Sequence, residues 1–257
     1  MKAVILAGGP GSRLGQITNN IHKSLLKVGE TPILDWQIKN LHRRNITEII
    51  VVTGYRAKEV KNRVSKLDQE LTSSRIHTVH NENWDTTENL HSLSLTEPQL
   101  RGDSFIIMNC DIYPSSQIFD IVADDDRTPV APFDSEDPEE DALQIKLNSN
   151  GQPDTILEKG HSEGDGATLG LFSLNESASE ALFQDIDNSL WREDVRAFWF
   201  EHSLGRILPE YNFEPVDVRD YLWFEVDTRA DLIKAWRELG WDETDVEVYI
   251  KGILNGE

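Results

Sequence analysis

The 257-residue chain has one cysteine and few basic residues, and each scarcity narrows what the protein can be. The single cysteine, Cys110, excludes an intrachain disulfide. Lysine and arginine number 25 against 46 acids, which gives a formal net charge of −21 and disfavours binding to nucleic-acid phosphates. This acidity fits a salt-rich source and an ordinary acidic enzyme equally well.

Long apolar runs are also lacking. No segment approaches the roughly 18 apolar residues that a membrane helix needs. The short apolar run at the start leads directly into Gly8 and Gly9, so it does not resemble a signal peptide. We therefore expect a soluble, cytoplasmic protein with no membrane or nucleic-acid partner. An apolar fraction of 38% and seven tryptophans are typical of a folded globule.

Strand-like and helix-like segments alternate in the first half of the chain. The predicted strands are residues 3–7, 48–53, 75–80 and 105–108. The predicted helices are residues 33–41 and 57–71. Thr31 and Pro32 are expected to cap and begin the first helix. The alternation is typical of a doubly wound α/β sheet, in which ligands lie at the carboxyl ends of the strands.

The second half has a mixed pattern. Asn150 and Gly151 lie between two strand-like runs, at residues 142–147 and 155–158, which predicts a β-hairpin. Further strands are expected at residues 167–174, 213–218 and 223–226. Further helices are expected at residues 176–183, 197–208, 229–239 after a Thr228 cap, and 245–254. Residues 134–141 predict an acidic surface loop. No linker interrupts the chain, so we predict a single domain over residues 1–257.

Residues 6–14, Leu-Ala-Gly-Gly-Pro-Gly-Ser-Arg-Leu, follow the first predicted strand. Glycines in this position let backbone N–H groups approach an anion closely. The segment lacks the Gly-Lys-Ser/Thr of a P-loop, and Leu14 stands where a dinucleotide-binding loop has its third glycine. Arg13 favours a polyphosphate ligand, because a guanidinium holds two phosphate oxygens at once. A plain turn is the alternative.

Three segments together resemble the sugar-phosphate nucleotidyltransferase family. The first is the Gly-Ser-Arg-Leu loop followed by Lys23, with Ser24 where the family has proline. The second is residues 156–160, Ile-Leu-Glu-Lys-Gly, which resembles the family's Glu-Lys element. The third is residues 225–232, Glu-Val-Asp-Thr-Arg-Ala-Asp-Leu, which resembles its Glu-Ile/Val-Asp-Thr-x-x-Asp-Leu element. The similarity extends from about residue 2 to residue 236.

This resemblance implies a Rossmann-like α/β fold, with a mixed, mainly parallel sheet flanked by helices as in GT-A-like nucleotide-diphospho-sugar transferases. It implies that residues 1–125 bind an NTP, that residues 126–240 bind the acceptor and supply the second metal ligand, and that residues 241–257 form a C-terminal helix. The implied nucleotide-binding residues are Leu6, Ala7, Gly8, Gly9, Gly11, Ser12, Arg13, Lys23, Asn89 and Ser92.

The implied metal ligands are Asp111 and Asp227, each at the end of a predicted strand, and the implied ion is Mg²⁺, which prefers one or two carboxylates together with phosphate oxygens. An aspartate after a strand is otherwise a turn or a helix cap. The implied acceptor-binding residues are Lys146, Lys159, Glu201 and Glu225. The implied catalytic cations are Arg13 at the leaving pyrophosphate, Lys23 at the α-phosphate and Lys159 at the acceptor phosphate.

Residues 87–93, Thr-Glu-Asn-Leu-His-Ser-Leu, resemble the Asn-Asn-Ile-Tyr-Ser-Leu element of small cytidylyltransferases, with Glu88 in place of the first asparagine. Those enzymes act on phosphocholine, 2-aminoethylphosphonate or inositol phosphate, so the resemblance implies CTP and a small phosphorylated acceptor. The alternatives are a hexose-1-phosphate uridylyl- or thymidylyltransferase, a nucleotide-binding regulatory protein and a GT-A-like glycosyltransferase. A homodimer is also left open.

Two other residue types admit a ligand role and a plain structural one. An aromatic cage for a cationic acceptor is one interpretation of four tryptophans, and packing in the core is the other. These are Trp84, Trp191, Trp199 and Trp223. The histidines lack the spacing of metal ligands, so we do not expect a zinc site.

Overall fold

The computed structural model describes residues 1–136, 142–161, 163–190 and 198–256. Residues 137–141 of the predicted acidic loop, Trp191, and the first residue of the helix predicted at 197–208 lie outside these ranges. None of the described helices is long and apolar enough to span a membrane.

The strands are β1 (Lys2–Ala7), β2 (Lys27–Val28), β3 (Thr31–Pro32), β4 (Glu48–Thr53), β5 (Arg75–His80), β6 (Phe105–Asn109), β7 (Ile112–Pro114), β8 (Val130–Asp134), β9 (Gln144–Leu147), β10 (Pro153–Leu157), β11 (Gly166–Thr168), β12 (Leu171–Leu174), β13 (Glu214–Asp217) and β14 (Trp223–Glu225). The helices are α1 (Gln16–Asn20), α2 (Ile33–Arg43), α3 (Ala57–Glu70), α4 (Asn89–Ser94), α5 (Glu97–Leu100), α6 (Ser116–Ala123), α7 (Glu176–Leu190), α8 (Phe200–Ile207), α9 (Arg229–Glu238) and α10 (Glu243–Asn255). Two short 3₁₀ turns cover Ser12–Leu14 and Lys23–Leu25.

Ten strands form one mixed sheet. Its order is β10-β9-β11-β8-β12-β6-β1-β4-β5, and β13 pairs with β8. β6, β1, β4 and β5 are parallel, whereas β12 joins them antiparallel to β6. The parallel strands therefore end at one edge of the sheet, with β1 at their centre. The predicted fold class, a mixed α/β sheet flanked by helices, is confirmed.

Both faces of the sheet are buried, which explains why the central strands are apolar without interruption. Alternate residues of β1 point to opposite faces: Ile5 packs with α2, α3 and α6, and Leu6 packs with α4, α7 and α8. A third apolar cluster joins α9 and α10 to Leu14 and Ile17, directly beyond residues 8–13, which form the glycine loop. The C-terminal helices therefore support the loop that follows β1.

Four predicted elements differ from the structure. The strand predicted at residues 167–174 is divided into β11 and β12, because Gly170 between them has a φ of 64° that ends the extended chain. Thr31 does not cap α2: it lies in β3, and Pro32 takes the N-cap position without a side-chain hydrogen bond. α8 begins at Phe200, three residues later than predicted, and α7 continues to Leu190.

Candidate active site

The glycine loop crosses the carboxyl edge of the parallel strands and packs against Lys23. Gly11 has a φ of 62°, and a Cβ at this position would lie 2.9 Å from Lys23 Cδ. A side chain at Gly11 would be strained by the backbone and would displace the lysine. The absence of a side chain at Gly11 therefore allows the aliphatic part of Lys23 to pack against the loop.

The turn that carries Lys23 is held by a histidine. The ring nitrogen Nδ1 of His22 accepts a hydrogen bond of 3.2 Å from the backbone N–H of Ser24. Burial, and then the charge of Lys23, lower the pKa of His22 to about 4, so the ring is neutral and Nδ1 is free to accept. A proline at position 24 has no N–H, which gives a physical reason for the serine that departs from the family pattern.

Lys23 joins the two predicted metal-binding aspartates. Its Nζ donates to Asp227 Oδ1 at 2.8 Å and pairs with Asp111 Oδ2, and Arg13 pairs with the other oxygen of Asp227. Burial disfavours the charged form of Lys23, but Asp111, Cys110 and Asp227 raise its pKa well above its ordinary value. Burial likewise opposes the charge of Asp227, yet Lys23 and Arg13 lower its pKa. Lys23 and Asp227 are therefore both charged at neutral pH.

Asp227 reaches this position through a strand and a helix cap. β14 pairs antiparallel with β7, and Val226 N donates to Asp111 O at 3.0 Å, which brings the two aspartates together. Thr228 then caps α9 in a capping box with Asp231. Asp231 Oδ2 also accepts from Asp227 N at 3.1 Å, so the cap fixes the backbone of Asp227.

A third carboxylate belongs to the same cluster. One oxygen each of Asp111, Glu225 and Asp227 lie within 4.8 Å of one another. Asp111 Oδ1 is buried without a hydrogen-bond partner. Desolvation, followed by the charges of Asp111 and Asp227, raises the pKa of Glu225 to about 8. An unpartnered carboxylate oxygen among clustered acids fits a divalent cation with oxygen ligands.

The main cleft has a volume of about 240 Å³ and opens in front of this cluster. It brings together predicted residues from the loop, from α4, from the turn after β10 and from α8. Its lining includes Leu6, Gly9, Arg13, Lys23, Asn89, Asp111, Lys159, Glu201, Glu225 and Asp227. Residues separated by most of the chain therefore share one cavity.

A second cleft of about 560 Å³ adjoins the first beside the glycine loop. Its lining includes Gly8, Gly9, Ser92 and the turn at residues 84–89. Buried Asn81 shapes that turn: its oxygen accepts from Asn83 N, and its amide donates to the hydroxyls of Thr87 and Ser92. These hydrogen bonds hold the turn in one conformation, and the turn forms the wall of the second cleft beside the glycine loop.

Glu201 is the most deeply buried carboxylate of the main cleft. It is 3% exposed, its Oε1 accepts a 3.3 Å hydrogen bond from Asn109 Nδ2, and its Oε2 has no partner. Burial raises the pKa of Glu201 to about 7. No lysine or arginine of the described residues pairs with it, so this carboxylate is suited to a cationic or hydrogen-bonding ligand.

Lys159 lies at the mouth of the cleft, in the turn after β10. Its ammonium lies 5.4 Å from the centre of the Trp199 ring, a cation–π contact. Trp199 Nε1 in turn donates to Glu88 Oε2 at 3.2 Å. The side chain of Lys159 therefore packs against Trp199, the residue that precedes α8 and lines the main cleft.

Some predicted residues take other positions. Lys146 pairs with Asp165 at 3.3 Å and donates to Glu163 O, and it is not among the described residues that line the clefts. Ala7 is buried at the end of β1, and Gly11 and Ser12 shape the loop without lining either cleft.

The three members of the predicted cage that the structure describes, Trp84, Trp199 and Trp223, do not form a cage. Trp84 packs edge to face against Tyr55, Trp223 donates to Asp134 Oδ2 at 2.8 Å, and Trp199 contacts Lys159. Trp199 is the one aromatic side chain of the described residues that lines the main cleft. The structural interpretation of Trp84 and Trp223 is therefore the better supported.

Sequence reasoning did not identify Asn109, which lines the cleft and donates to Glu201. The only signal was its place directly after an apolar strand and two residues before Asp111. Cys110 between them is buried, and burial, followed by the charge of Asp111, raises the pKa of its thiol to about 12. This cysteine is therefore unsuited to act as a nucleophile.

Known proteins share both the sequence pattern and the fold. Residues 3–132 match the MobA-like NTP transferase domain. The choline-phosphate cytidylyltransferase of Haemophilus influenzae is 31% identical over 59% of this chain and 60% of its own length. The CMP-5'-(3-aminopropyl)phosphonate synthase of Streptomyces rubellomurinus is 25% identical over 91% of this chain and 38% of its own length.

Among solved structures, a CTP:phosphocholine cytidylyltransferase from Streptococcus pneumoniae superposes with a TM-score of 0.74 at 20% identity, over 93% of this chain and 98% of the other. The matches span about half the length of the relatives found by sequence. The match covers half of the chain and includes the glycine loop, Lys23 and Asp111. The chain therefore belongs to the family of MobA-like NTP transferase domains.

Proposed function

We propose that the protein is a Mg²⁺-dependent nucleotidyltransferase that moves the cytidylyl group of CTP onto a small phosphorylated or phosphonylated acceptor and releases pyrophosphate. The observation that carries this proposal is the contact of Arg13 and Lys23 with Asp111 and Asp227 at the edge where the parallel strands end. The two cations are suited to bind a polyphosphate, and the two carboxylates are suited to bind its metal ion. All four side chains lie in contact within the cleft.

In this reaction an anionic oxygen of the acceptor forms a bond to the α-phosphorus of CTP. The bond from that phosphorus to the oxygen bridging to the β-phosphate breaks, and pyrophosphate leaves with the electron pair. The attacking oxygen is already anionic, so no serine, cysteine or histidine nucleophile is required. Catalysis then consists of positioning the reactants and stabilising negative charge.

Each cation has a distinct place in this scheme. Lys23, held among the carboxylates, stabilises charge on the α-phosphate. Arg13 is about half exposed at the loop and neutralises the leaving pyrophosphate. Lys159, in the turn after β10, holds the acceptor phosphate. Asp111 and Asp227, with Glu225 beside them, would hold the Mg²⁺, which supplies positive charge to the phosphate oxygens when bound.

The acceptor is proposed to carry a positively charged amine at the end opposite its phosphate. Glu201 supports this, because a buried carboxylate with a free oxygen gains most from an ammonium partner. The two relatives compared above have names that join a cytidylyl group to choline phosphate or to an aminopropylphosphonate. Among the described residues, Trp199 is the one aromatic ring that lines the main cleft, which favours an ammonium that hydrogen-bonds over one held only by an aromatic cage.

A pyrophosphate-release assay with four NTPs and a panel of acceptors tests the proposal. The panel contains phosphocholine, phosphoethanolamine, 2-aminoethylphosphonate, inositol phosphate, glycerol phosphate and glucose-1-phosphate. We expect CTP with an amine-bearing acceptor to give the highest kcat/KM. Preference for UTP or dTTP with glucose-1-phosphate would instead identify a sugar-phosphate enzyme.

Two further outcomes address the remaining alternatives. Release of a nucleoside diphosphate from a nucleotide sugar, without pyrophosphate, would identify a glycosyltransferase. Tight nucleotide binding without turnover of any acceptor would identify a regulatory protein. Either result would contradict the proposed function.

A further inference from the structure

Three side chains form a hydrogen-bonded chain across the wall of the main cleft. The backbone N–H of Phe200 donates to Asn89 Oδ1 at 2.8 Å. Asn89 Nδ2 donates to Asn109 Oδ1 at 3.3 Å, and Asn109 Nδ2 donates to Glu201 Oε1 at 3.3 Å. The chain begins and ends on adjacent residues of α8 and passes through the first residue of α4 and the end of β6.

The direction of this chain is fixed at its first member. A backbone N–H can only donate, so the oxygen of Asn89 faces Phe200 and its NH₂ group faces Asn109. Asn109 must then accept with its oxygen and donate with its NH₂ group, which faces Glu201. The NH₂ group of Asn109 therefore donates to Glu201, and the last position of this series of hydrogen bonds suits a carboxylate, which only accepts.

The middle member has little freedom to rearrange. Asn109 N donates to Gly170 O at 2.9 Å, and Asn109 O accepts from Gln37 Nε2 at 2.9 Å. A Cβ at Gly170 would lie 2.5 Å from Asn109 Nδ2, so the amide occupies the space that the glycine leaves. The backbone of Asn109 is held on both sides, and its side chain fills a fitted position.

We propose that Asn89 and Asn109 are positioning residues that hold Oε1 of Glu201 and leave Oε2 directed at the cationic end of the acceptor. This proposal rests on the proposed function of the cleft. It assigns Asn89 to the acceptor side, because its side chain is engaged with Phe200 and Asn109 and also interacts directly with Glu201. Asn109 acts on the acceptor only through Glu201.

Replacement of Asn89 by aspartate tests the direction of the chain. The new carboxylate at position 89 would still accept from Phe200, but its second oxygen would face the oxygen of Asn109. The Asn109 amide would have to reverse and present its oxygen to Glu201, which repels the carboxylate. We expect Asn89→Asp to lower the equilibrium constant for folding about tenfold or more at pH 8, as for the loss of a hydrogen bond to a charged group.

A double-mutant cycle with Glu201→Gln makes this test specific. The new amide at position 201 can donate to the reversed Asn109 amide, so Asn89→Asp should change the folding constant less than about threefold in that background. Equal effects of Asn89→Asp in the unsubstituted and the Glu201→Gln backgrounds would overturn the positioning role. Asn150→Asp, on the exposed hairpin turn, controls for the added negative charge.

Kinetics then separates the positioning role from direct nucleotide contact. Asn89→Asp should raise KM for the amine-bearing acceptor about tenfold or more and change KM for CTP less than about twofold. A rise confined to KM for CTP would overturn the proposal. If Asn89→Asp does not fold, Asn89→Ala removes the link without reversing it, and the same pattern of KM values is expected with a smaller rise.

The two readouts also separate this proposal from the proposed function. Turnover with additive folding effects overturns the hydrogen-bonded chain as a positioning device. Coupling between positions 89 and 201 without turnover of any acceptor overturns the proposed function and, with it, the role of the chain in acceptor binding.

Discussion

Lys159 and Glu201 both line the main cleft, and we expect them to bind opposite ends of the proposed acceptor. Lys159→Met removes the cation while keeping a similar length, so we expect KM for the acceptor to rise about tenfold or more because a charged contact is lost. KM for CTP should change much less. Steady-state kinetics with each substrate varied in turn measures both values.

A lysine remote from the cleft provides the matched control. Lys66→Met, at an exposed position of α3, should leave both KM values unchanged. An unchanged acceptor KM in the Lys159 variant would contradict the assignment of Lys159 to the acceptor phosphate.

The titration of Glu201 predicts how acceptor binding depends on pH. Burial raises the pKa of Glu201 to about 7, so the side chain is mainly protonated below that pH and cannot pair with an ammonium as a carboxylate. KM for an amine-bearing acceptor should therefore fall as the pH rises through about 7. Since a phosphate group titrates near pH 6, the comparison is with Glu201→Gln under the same conditions.

The same pKa predicts a stability effect of opposite sign. The folded state binds the proton of Glu201 more tightly than the unfolded state, whose reference pKa is 4.5, so this group destabilises the fold as the pH rises from about 4.5 to about 7. We expect Glu201→Gln to melt at a higher temperature than the unsubstituted protein at pH 8. The difference should vanish near pH 4, and a lower Tm at pH 8 would contradict the burial of an unpaired charge.

The sequence predicted individual residues of the candidate site where these residues lie in a short, recognisable motif. Arg13, Lys23, Asp111 and Asp227 each lie in or beside a recognisable segment, and the structure brings all four together. Asn109 was not predictable, because its role depends on Asn89 and Glu201, which lie 20 and 92 residues away. The partners of a polar side chain are set by tertiary packing, which a local pattern does not record.

At the scale of single elements, the N-terminal cap of α9 is expected to affect both the stability of the fold and the position of Asp227. Thr228 accepts from Asp231 N, and Asp231 accepts from the backbone of both Thr228 and Asp227. Thr228→Ala should lower the free energy of unfolding by about 1 kcal/mol. It should also reduce kcat, because Thr228 Oγ1 holds Asp231 N and so helps to place the Asp231 carboxylate that accepts from Asp227 N beside the carboxylate cluster.

A second helix cap separates these two effects. Asp242→Ala removes the cap of α10, where the side chain of Asp242 accepts from Thr244 N and does not line the described clefts. Its loss of stability should be similar, with unchanged kcat. Equal kcat values in the two variants would contradict the positioning of Asp227 by its cap.

Elements with a strong and simple pattern were predicted correctly. β1 and β4 are continuous apolar runs, and the alternation in this half of the chain predicted their place in a parallel sheet. The division between β11 and β12 was not predicted, because the run of apolar residues continues through the break at Gly170. The cause is the positive φ of this glycine and the close approach of Asn109, both tertiary features.

In the whole molecule, the two ends of the chain are packed against each other. Trp236 Nε1 in α9 donates to Lys27 O at 2.7 Å, and Asn20 Nδ2 donates to Ile253 O in α10 at 2.9 Å. We therefore predict one cooperative unfolding transition, with coincident curves from circular dichroism and tryptophan fluorescence. Two separated transitions would contradict the single domain predicted for residues 1–257.

Both halves of the molecule also contribute to the carboxylate cluster, since Asp111 lies in the first half and Asp227 in the second. We propose that this shared cluster supports cleavage of CTP. Asp111→Asn keeps the shape of the side chain and removes its charge, so kcat should fall by about a hundredfold or more, as expected for the loss of electrostatic stabilisation.

The most direct measurement is Mg²⁺-dependent pyrophosphate release from CTP with an amine-bearing phosphorylated acceptor, in the unsubstituted protein and in Asp111→Asn. Asp154→Asn, on the exposed β9–β10 hairpin, is the control with the same change of charge. We predict turnover by the unsubstituted protein and the control, and a loss of turnover in Asp111→Asn with an unchanged far-ultraviolet circular dichroism spectrum. Full turnover by Asp111→Asn, with the same dependence on Mg²⁺, would contradict the account.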